Sequence, residues 1–172
     1  MQQIESMKRI IITVDGWSSC GKSTMARQLA KQLNYIFIDS GAMYRAATLY
    51  FLENNIDTLQ FRNKAEDEQK SILDKILIEF RNGDGSQEIF LNGKNVSKEI
   101  RLPAVSEKVS PVSAIPIVRE KMVAMQREFG KEKGVVMDGR DIGTKVFPDA
   151  ELKIFMTADV SIRAKRRFDE LK

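Results

Sequence analysis

The chain has 172 residues, of which 42% are hydrophobic and 30% charged, which suits one domain, or one domain with a small insertion. Its single cysteine excludes an intramolecular disulfide, and the absence of histidine excludes Ser-His-Asp and Cys-His catalysis and the commonest zinc ligand sets. The formal net charge of +4 indicates anionic partners only weakly.

The first predicted elements form a strand-helix-strand unit. A β-branched run over Lys8–Val14 predicts a strand buried in a parallel sheet. Lys22–Leu33, where an apolar residue recurs every four positions, predicts a helix with one apolar face. Tyr35–Ile38 predicts a second strand, and Asp39 and Ser40 are good N-cap residues for a helix that continues through Phe51.

The middle of the chain has a different pattern. Residues 65–75 are polar and helical in tendency, whereas residues 76–80 and 88–91 are β-type runs. The sequence Asn-Gly-Asp-Gly at residues 82–85 is a strong hairpin signal. We therefore predict a small α+β insertion here.

The remainder returns to alternating helices and strands. Pro116 suits the first turn of a helix that Gly130 ends. The buried stripe predicted for this helix consists of Val118, Met122, Met125 and Phe129. Strands are expected at Val135–Asp138 and Leu152–Met156, and a last helix from Asp159. Its basic residues are Arg163, Lys165, Arg166 and Arg167.

A phosphate-binding loop lies between the first strand and the first helix. Residues 16–23 match the pattern G-x-x-x-x-G-K-[ST]. The glycines let backbone N–H groups point at phosphate oxygens, and the helix beginning at Lys22 adds its positive dipole end. Lys22 can reach the β and γ phosphates, and the Ser23 hydroxyl can ligate Mg²⁺. The predicted nucleoside triphosphate site consists of Gly16, Trp17, Ser18, Ser19, Cys20, Gly21, Lys22, Ser23 and Thr24.

This motif and the element order predict an α/β protein with a three-layer P-loop NTPase fold around a mostly parallel sheet. We assign residues 1–56 and 113–172 to the core and residues 57–112 to the α+β insertion.

Arginines near the ends of predicted strands indicate a second anion site. Arg45 lies one turn into the helix after the second strand, Arg140 follows the strand at Val135–Asp138, and Arg119 lies on a helix between them. Open α/β sheets bind ligands at the carboxyl ends of their strands. Because a guanidinium holds phosphate oxygens in a bidentate manner, these residues predict a second phosphate site.

Several blocks of this sequence are typical of one enzyme family. Beside the phosphate loop they are Asp39-Ser40-Gly41 with Tyr44-Arg45, Val96-Ser97 with Glu99-Ile100-Arg101, Asp138-Gly139-Arg140-Asp141-Ile142-Gly143-Thr144, Val146-Phe147-Pro148-Asp149-Ala150 and Lys153-Ile154-Phe155. Over essentially its whole length, insertion included, the chain resembles cytidylate kinases of the bacterial type. The resemblance implies an enzyme that transfers phosphate from ATP to CMP and dCMP with Mg²⁺.

The resemblance also implies roles for individual residues. Arg45 and Arg140 match the arginines that hold the CMP phosphate, so that with Lys22 they are the expected catalytic residues. Ser23 would hold Mg²⁺, with Asp138 as an outer-shell carboxylate. Because little covalent chemistry falls to the protein in phosphoryl transfer, these residues would act by positioning and charge stabilisation.

In the same way the resemblance implies a cytosine site. Ser110, Arg119 and Asp141 match residues that read the base, and Ser40 and Tyr44 would shape the monophosphate pocket. A carboxylate and a guanidinium complement the amino group and the acceptors of cytosine, whereas uracil would place an acceptor against Asp141. The insertion over residues 57–112 is then the nucleoside-monophosphate-binding subdomain.

Members of this family continue beyond Lys172. We therefore expect the arginine-rich lid, a further helix, the last strand and the ribose-reading residues to be absent from these 172 residues, which leaves the core incomplete at its carboxyl end.

Four alternatives remain beside this interpretation. The chain could be another P-loop small-molecule kinase of the UMP, AMP or shikimate type, or a truncated nucleotide-binding form with impaired catalysis. A switch GTPase would need an N-K-x-D segment, and Asn63-Lys64-Ala65-Glu66 lacks the aspartate. A nucleic-acid binder would interleave basic and aromatic residues, a pattern not found in the sequence.

The sequence also predicts where the protein works. Met1–Lys8 lacks the apolar core of a signal peptide, and no apolar run approaches the roughly 20 residues of a membrane span. We expect a cytoplasmic monomer that binds CMP or dCMP and associates with no specific nucleic acid and no membrane.

Overall fold

The structure is a computed structural model that describes residues 8–82 and 87–170. These residues form two units. The first comprises the described residues of Met1–Asp39 and Gln126–Lys172, and the second comprises those of Ser40–Met125.

The first unit is built on a parallel sheet of four strands. These are β1 (Ile11–Gly16), β2 (Ile36–Asp39), β6 (Val135–Gly139) and β7 (Leu152–Met156). Their order is β2-β6-β1-β7, and every neighbouring pair is parallel. The mixed α/β fold with a parallel central sheet is therefore confirmed, and β1 and β6 lie in the middle of this sheet.

Helix α1 (Lys22–Leu33) begins and ends where the sequence predicts. Its buried Ala26 and Ala30 pack with Ile12, Val14, Phe37 and Val136 of the strands, and the predicted apolar face of Met25, Leu29 and Leu33 lies partly buried beside them. Helix α7 (Val160–Glu170) follows β7 and begins one residue after the predicted Asp159. Among the described residues no helix is both long and apolar enough to cross a membrane.

The bounds of β1 differ from the prediction. The strand begins at Ile11 and continues to Gly16, whereas the sequence predicts Lys8–Val14. Asp15 ends the apolar run in the sequence, but its backbone pairs with Gly139 on one side and Phe155 on the other. The buried carboxylate is satisfied by backbone amides, so a charged residue is compatible with a central strand here.

The second unit combines helices with a small antiparallel sheet. The helices are α2 (Ser40–Glu53), α3 (Thr58–Arg62), α4 (Glu66–Leu73), α5 (Pro103–Ser113) and most of α6 (Pro116–Gly130), with a 3₁₀ turn at Glu99–Arg101. The sheet has the order β3-β4-β5 and consists of Ile78–Asn82, Gln87–Leu91 and Lys94–Asn95. In the core of this second unit, the rings of Phe51 on α2 and Phe61 on α3 lie with their centroids 4.9 Å apart.

Several predictions for this unit are confirmed and others are incomplete. Strands β3 and β4 pair antiparallel as expected, while the predicted turn lies, from residue 83 on, outside the described residues. Val118 and Met122 are fully buried as predicted, but Met125 and Phe129 are only half-buried. Helices α3 and α5 and strand β5 are not predicted from the sequence. Pro111 lies inside α5, where proline removes a backbone donor and is normally unfavourable.

Candidate active site

The predicted phosphate loop connects β1 to α1 at the carboxyl end of the parallel sheet. Its first residue, Gly16, has a φ of +150°, and a Cβ there would lie 2.2 Å from the Met156 carbonyl oxygen of the neighbouring strand. Gly21, which precedes the first helical residue, has a φ of +95°. L side chains rarely adopt such angles, so both glycines of the motif are required by the backbone.

The Lys22 ammonium lies against this loop. Its Nζ donates to the Trp17 carbonyl oxygen at 2.7 Å and lies 3.9 Å from the Cys20 sulfur. The side chain therefore folds back over the loop rather than extending into solvent. Trp17 and Ser18 are exposed and Cys20 is buried, while Thr24 is exposed on the first turn of α1.

A second cationic side chain reaches the same loop from α7. Arg166 donates from Nη1 to the Ser19 carbonyl oxygen at 3.2 Å. The sequence indicates a basic helix here without distinguishing among its arginines. Arg166 is thus an arginine of α7 that contacts the phosphate loop.

Ser23 and Asp138 meet beside the loop, although 115 positions separate them in the sequence. The Ser23 hydroxyl donates to Asp138 Oδ2 at 2.5 Å. Asp138 is only 3% exposed, and its other oxygen, Oδ1, is buried without a hydrogen-bond partner. Burial, together with the negative charge of Asp39 on the neighbouring strand, raises the pKa of Asp138 to about 7, against the opposing effects of Ser23 and Lys22.

This pair fits a magnesium ion. A buried carboxylate oxygen without a donor costs free energy, and a cation beside it would satisfy it. Mg²⁺ typically takes one or two protein oxygens and completes its shell with water and substrate phosphates. No cluster of three or more His, Cys, Asp or Glu side chains suited to a metal occurs in the described part of the chain, so an all-protein cage is not the arrangement found here.

The segment carrying Arg140 and Asp141 follows β6 and leads into a π-helical turn at Ile142–Val146. Arg140 is exposed and Asp141 half-buried. The turn is held by Asp15 at the end of β1, since Oδ1 accepts the amide of Ile142 at 2.8 Å and Oδ2 that of Gly143 at 2.7 Å. This segment belongs to the first unit, which also contains Lys22, Ser23 and Asp138.

The other predicted substrate residues belong to the second unit. Arg45 on α2 donates from Nη1 to the Ser106 hydroxyl at 2.8 Å and approaches the Ile100 carbonyl oxygen at 3.4 Å. The Arg119 guanidinium carbon of α6 lies 6.0 Å from the ring centroid of Tyr44, at the outer limit of a cation–π contact. Arg45 is therefore hydrogen-bonded within its own unit, and Arg119 has the Tyr44 ring of the same unit nearby.

Ser40 and Ser110 occupy different environments in this unit. Ser40 is the first residue of α2 and is 4% exposed. Ser110 lies exposed in α5, and its carbonyl oxygen accepts from the Ser113 hydroxyl at 3.0 Å.

Two supporting residues were not found from the sequence. Asp15 holds the turn after Arg140 and Asp141, and Ser106 orients Arg45. The only available signal for Asp15 was a charged residue at the end of an apolar run, directly before the phosphate loop. Ser106 had no such signal, because its helix was not predicted.

Comparisons with known proteins cover nearly the whole chain. The family model described as cytidylate kinase matches residues 12–172. A cytidylate kinase from Bacteroides fragilis is 60% identical, and the match covers 96% of this chain and 72% of the relative. Cytidylate kinases from Bacteroides thetaiotaomicron and Flavobacterium johnsoniae are 59% and 53% identical, with the same coverage of both chains. The chain therefore belongs to the cytidylate kinase family.

Proposed function

We propose that this protein is a nucleoside monophosphate kinase that transfers the γ-phosphate of ATP to CMP and dCMP. Its family is one of phosphotransferases. The observation that carries the proposal is the grouping of Lys22 with the Ser23–Asp138 pair beside a glycine-bounded loop. Such loops bind triphosphates through backbone amides, a lysine and a magnesium-ligating hydroxyl.

The triphosphate would be bound by Gly16–Thr24. Lys22 now donates to the Trp17 carbonyl oxygen, so its ammonium needs only to exchange that acceptor for β- and γ-phosphate oxygens. Mg²⁺ would be held by Ser23 directly, with Asp138 in its outer shell, and when bound it would neutralise phosphate charge. Asp138 suits this role because its Oδ1 is buried without a donor.

CMP would be bound by two sets of residues. Arg45 and Arg140 would hold its phosphate, and Ser110, Arg119 and Asp141 would read the cytosine. Support for Arg45 comes from its bond to Ser106, which restricts the guanidinium before substrate arrives, and a group already held loses less entropy on binding.

Ser40 and Tyr44 would shape the monophosphate pocket. Tyr44 has the Arg119 guanidinium near its ring, and Ser40 is buried at the first residue of α2. Both residues lie on α2. We propose in addition that residues 57–112 form the monophosphate-binding subdomain.

Catalysis would then consist of alignment and charge stabilisation. Lys22 would stabilise charge that develops on the transferred phosphoryl group, while Arg45 and Arg140 would fix the attacking CMP phosphate oxygen in line with it. Such pre-oriented cations contribute most where water is excluded. No side chain is required as a covalent intermediate.

Steady-state kinetics with ATP and CMP, dCMP, UMP, AMP or GMP test this function. We expect kcat/KM for CMP and dCMP to exceed the other values by orders of magnitude, because a site built on hydrogen bonds to a base rejects the wrong base by up to about 10⁴ to 10⁵. In an Asp141→Asn variant the preference for CMP over UMP should fall sharply. Equal turnover of UMP by the unsubstituted protein would refute the assignment of Asp141 to the base.

The physiological setting is also part of this proposal. ATP and CMP are metabolites of the cytoplasm, and we propose that the protein works there. We also propose that it acts as a monomer. Light scattering at increasing protein concentration would show a constant mass near 19.6 kDa for the present chain, whereas a rising mass would contradict the monomer.

A further inference from the structure

Asp15 has no role in the function proposed above, yet its contacts are unusual for a charged residue in a central strand. It is 7% exposed and is the last residue before Gly16. Its two oxygens accept the consecutive amides of Ile142 and Gly143 at 2.8 and 2.7 Å. Burial of a carboxylate is costly unless it is hydrogen-bonded, so the carboxylate and the turn depend on each other.

The strand and the turn also match in shape. A Cβ added at Gly143 would lie 2.7 Å from Thr13 Oγ1 and 3.2 Å from Asp15 Oδ2. There is consequently no room for a side chain at this position unless the turn moves away from β1. Two independent features, a pair of charge-assisted hydrogen bonds and a close approach of backbone to strand, fix the same turn.

We propose that Asp15 is a positioning residue of the kinase, which holds the Ile142–Val146 turn and thereby sets Arg140 and Asp141 for binding CMP. The inference rests on the proposed function, in which Arg140 and Asp141 contact that substrate. Asp15 joins this turn to the residue at which the phosphate loop begins, so one carboxylate sets the register between the two segments.

The physical reason is the precision that phosphoryl transfer requires. Hydrogen bonds from backbone amides to an ionised carboxylate are roughly twice as strong as neutral ones. A displacement of about 1 Å in a substrate-binding group can cost on the order of 100-fold in rate. Residues 140 and 141 directly precede the turn, and a shift of the turn is transmitted to them through the backbone.

The test is Asp15→Asn in the purified protein. Asparagine keeps the shape but offers one oxygen, so its amino group would face one of the two amides. We expect KM for CMP to rise by roughly 10-fold to 100-fold, as for loss of hydrogen bonds to a charged group. The CMP-over-UMP preference should fall by a similar factor, while KM for ATP stays within about twofold.

These readouts separate positioning from a merely structural role. If the substitution only destabilised the fold, it would reduce the amount of active enzyme. That would lower the apparent kcat for CMP and UMP equally and leave KM and the preference unchanged.

A second variant changes the turn itself rather than the carboxylate that holds it. Gly143→Ala keeps the carboxylate but forces the turn away from Thr13, so it should reproduce the rise in KM for CMP. It also carries the test if Asp15→Asn fails to fold. Lys145→Gln is the matched control, because it changes an exposed side chain of the same turn without altering the bonds of Asp15 or the space beside Gly143, and its kinetics should remain unchanged.

The outcomes distinguish this inference from the function on which it rests. If Arg140→Ala and Asp141→Asn impair CMP kinetics while Asp15→Asn and Gly143→Ala do not, Asp15 has no positioning role and the proposed function stands. If Arg140→Ala and Asp141→Asn also leave CMP kinetics unchanged, the assignment of the substrate residues is wrong and the inference falls with it.

Discussion

Ser23 and Asp138 place a hydroxyl and a carboxylate side by side at the phosphate loop. Asp138 is almost fully buried beside Asp39, and its pKa of about 7 reflects the cost of holding negative charge there. The Ser23 hydroxyl offsets part of that cost. A divalent cation would offset more of it, which agrees with the metal role proposed for this pair.

This arrangement predicts the effect of removing the hydroxyl. Ser23→Ala should lower kcat/KM by roughly 100-fold, comparable with the loss of one pre-oriented hydrogen-bond donor at an oxyanion hole, and should raise the Mg²⁺ concentration needed for half-maximal rate. Magnesium titrations at saturating ATP and CMP measure both effects. Gln28→Ala, on the exposed side of the same helix, is the control and should leave both unchanged. An unaltered Mg²⁺ dependence in Ser23→Ala would remove the hydroxyl from the metal site.

Local spacing explains which of these residues could be predicted. Lys22 and Ser23 follow from an eight-residue pattern, since the loop and the helix start are defined by neighbours in sequence. Asp15 and Ser106 act on partners 127 and 61 positions away. Such contacts depend on the pairing of distant segments, which no local pattern contains.

Helix α7, which lies far from the phosphate loop in the sequence, brings the positive charge of Arg166 to that loop. The contact of Arg166 with the Ser19 carbonyl oxygen brings a permanent positive charge to a loop that would bind a highly charged ligand. Guanidinium groups suit this position because they stay charged and can bond two oxygens.

Arg166→Gln should therefore raise KM for ATP about three-fold to ten-fold, as for the loss of about one hydrogen bond, and leave KM for CMP nearly unchanged. Lys165→Gln removes the same charge from the adjacent exposed position of α7 and serves as the matched control. Equal changes in KM for ATP in the two variants would show that only overall charge matters, contrary to the specific contact.

The elements themselves were predicted unevenly. Helix α1 and strand β7 have the predicted bounds because their hydrophobic periods are clear. Helix α5 was missed because Pro111 argues against a helix, although buried Val105 and Val112 fix it by packing. The sequence predicts the end of β1 at Val14, which is too early, because no sequence pattern shows that the Asp15 carboxylate accepts two backbone amides.

The amino ends of three parallel strands are tied together by one carboxylate. Glu151, just before β7, accepts the backbone amide of Ile11 at 2.9 Å and pairs with Lys133, which precedes β6. These contacts, the bond from Ile11 first, lower the pKa of Glu151 to about 2. They act at the end of the sheet opposite the phosphate loop.

The lowered pKa predicts how stability depends on acid. A carboxylate whose pKa is lower in the folded state stabilises the fold above its ordinary pKa of 4.5, and that contribution is lost as pH falls from there toward 2. Glu151→Gln should therefore reduce the free energy of unfolding at pH 7 and flatten its decline in this acid range. Urea unfolding at several pH values measures both.

Glu132→Gln is the control for this experiment. Glu132 is an exposed glutamate near the same end of the sheet, and its substitution should keep the acid dependence of the unsubstituted protein. An equally steep decline in Glu151→Gln would contradict the role assigned to Glu151.

At the scale of the first unit, the sequence predicts that the central sheet is parallel, because a strand, the phosphate loop, a helix and a second strand follow one another. The order β2-β6-β1-β7 could not. It places β6, more than 100 positions along the chain, between β1 and β2. That order decides which strand ends are neighbours, and it is the reason why Asp138 lies beside Ser23.

Trp17 is the single tryptophan of the chain, and it lies 58% exposed in the phosphate loop. Its carbonyl oxygen is the acceptor that Lys22 holds. The protein therefore carries a natural optical probe at the one place where the triphosphate is proposed to bind. With excitation selective for the indole, emission arises from this loop alone, and occupancy of the loop becomes visible without a label.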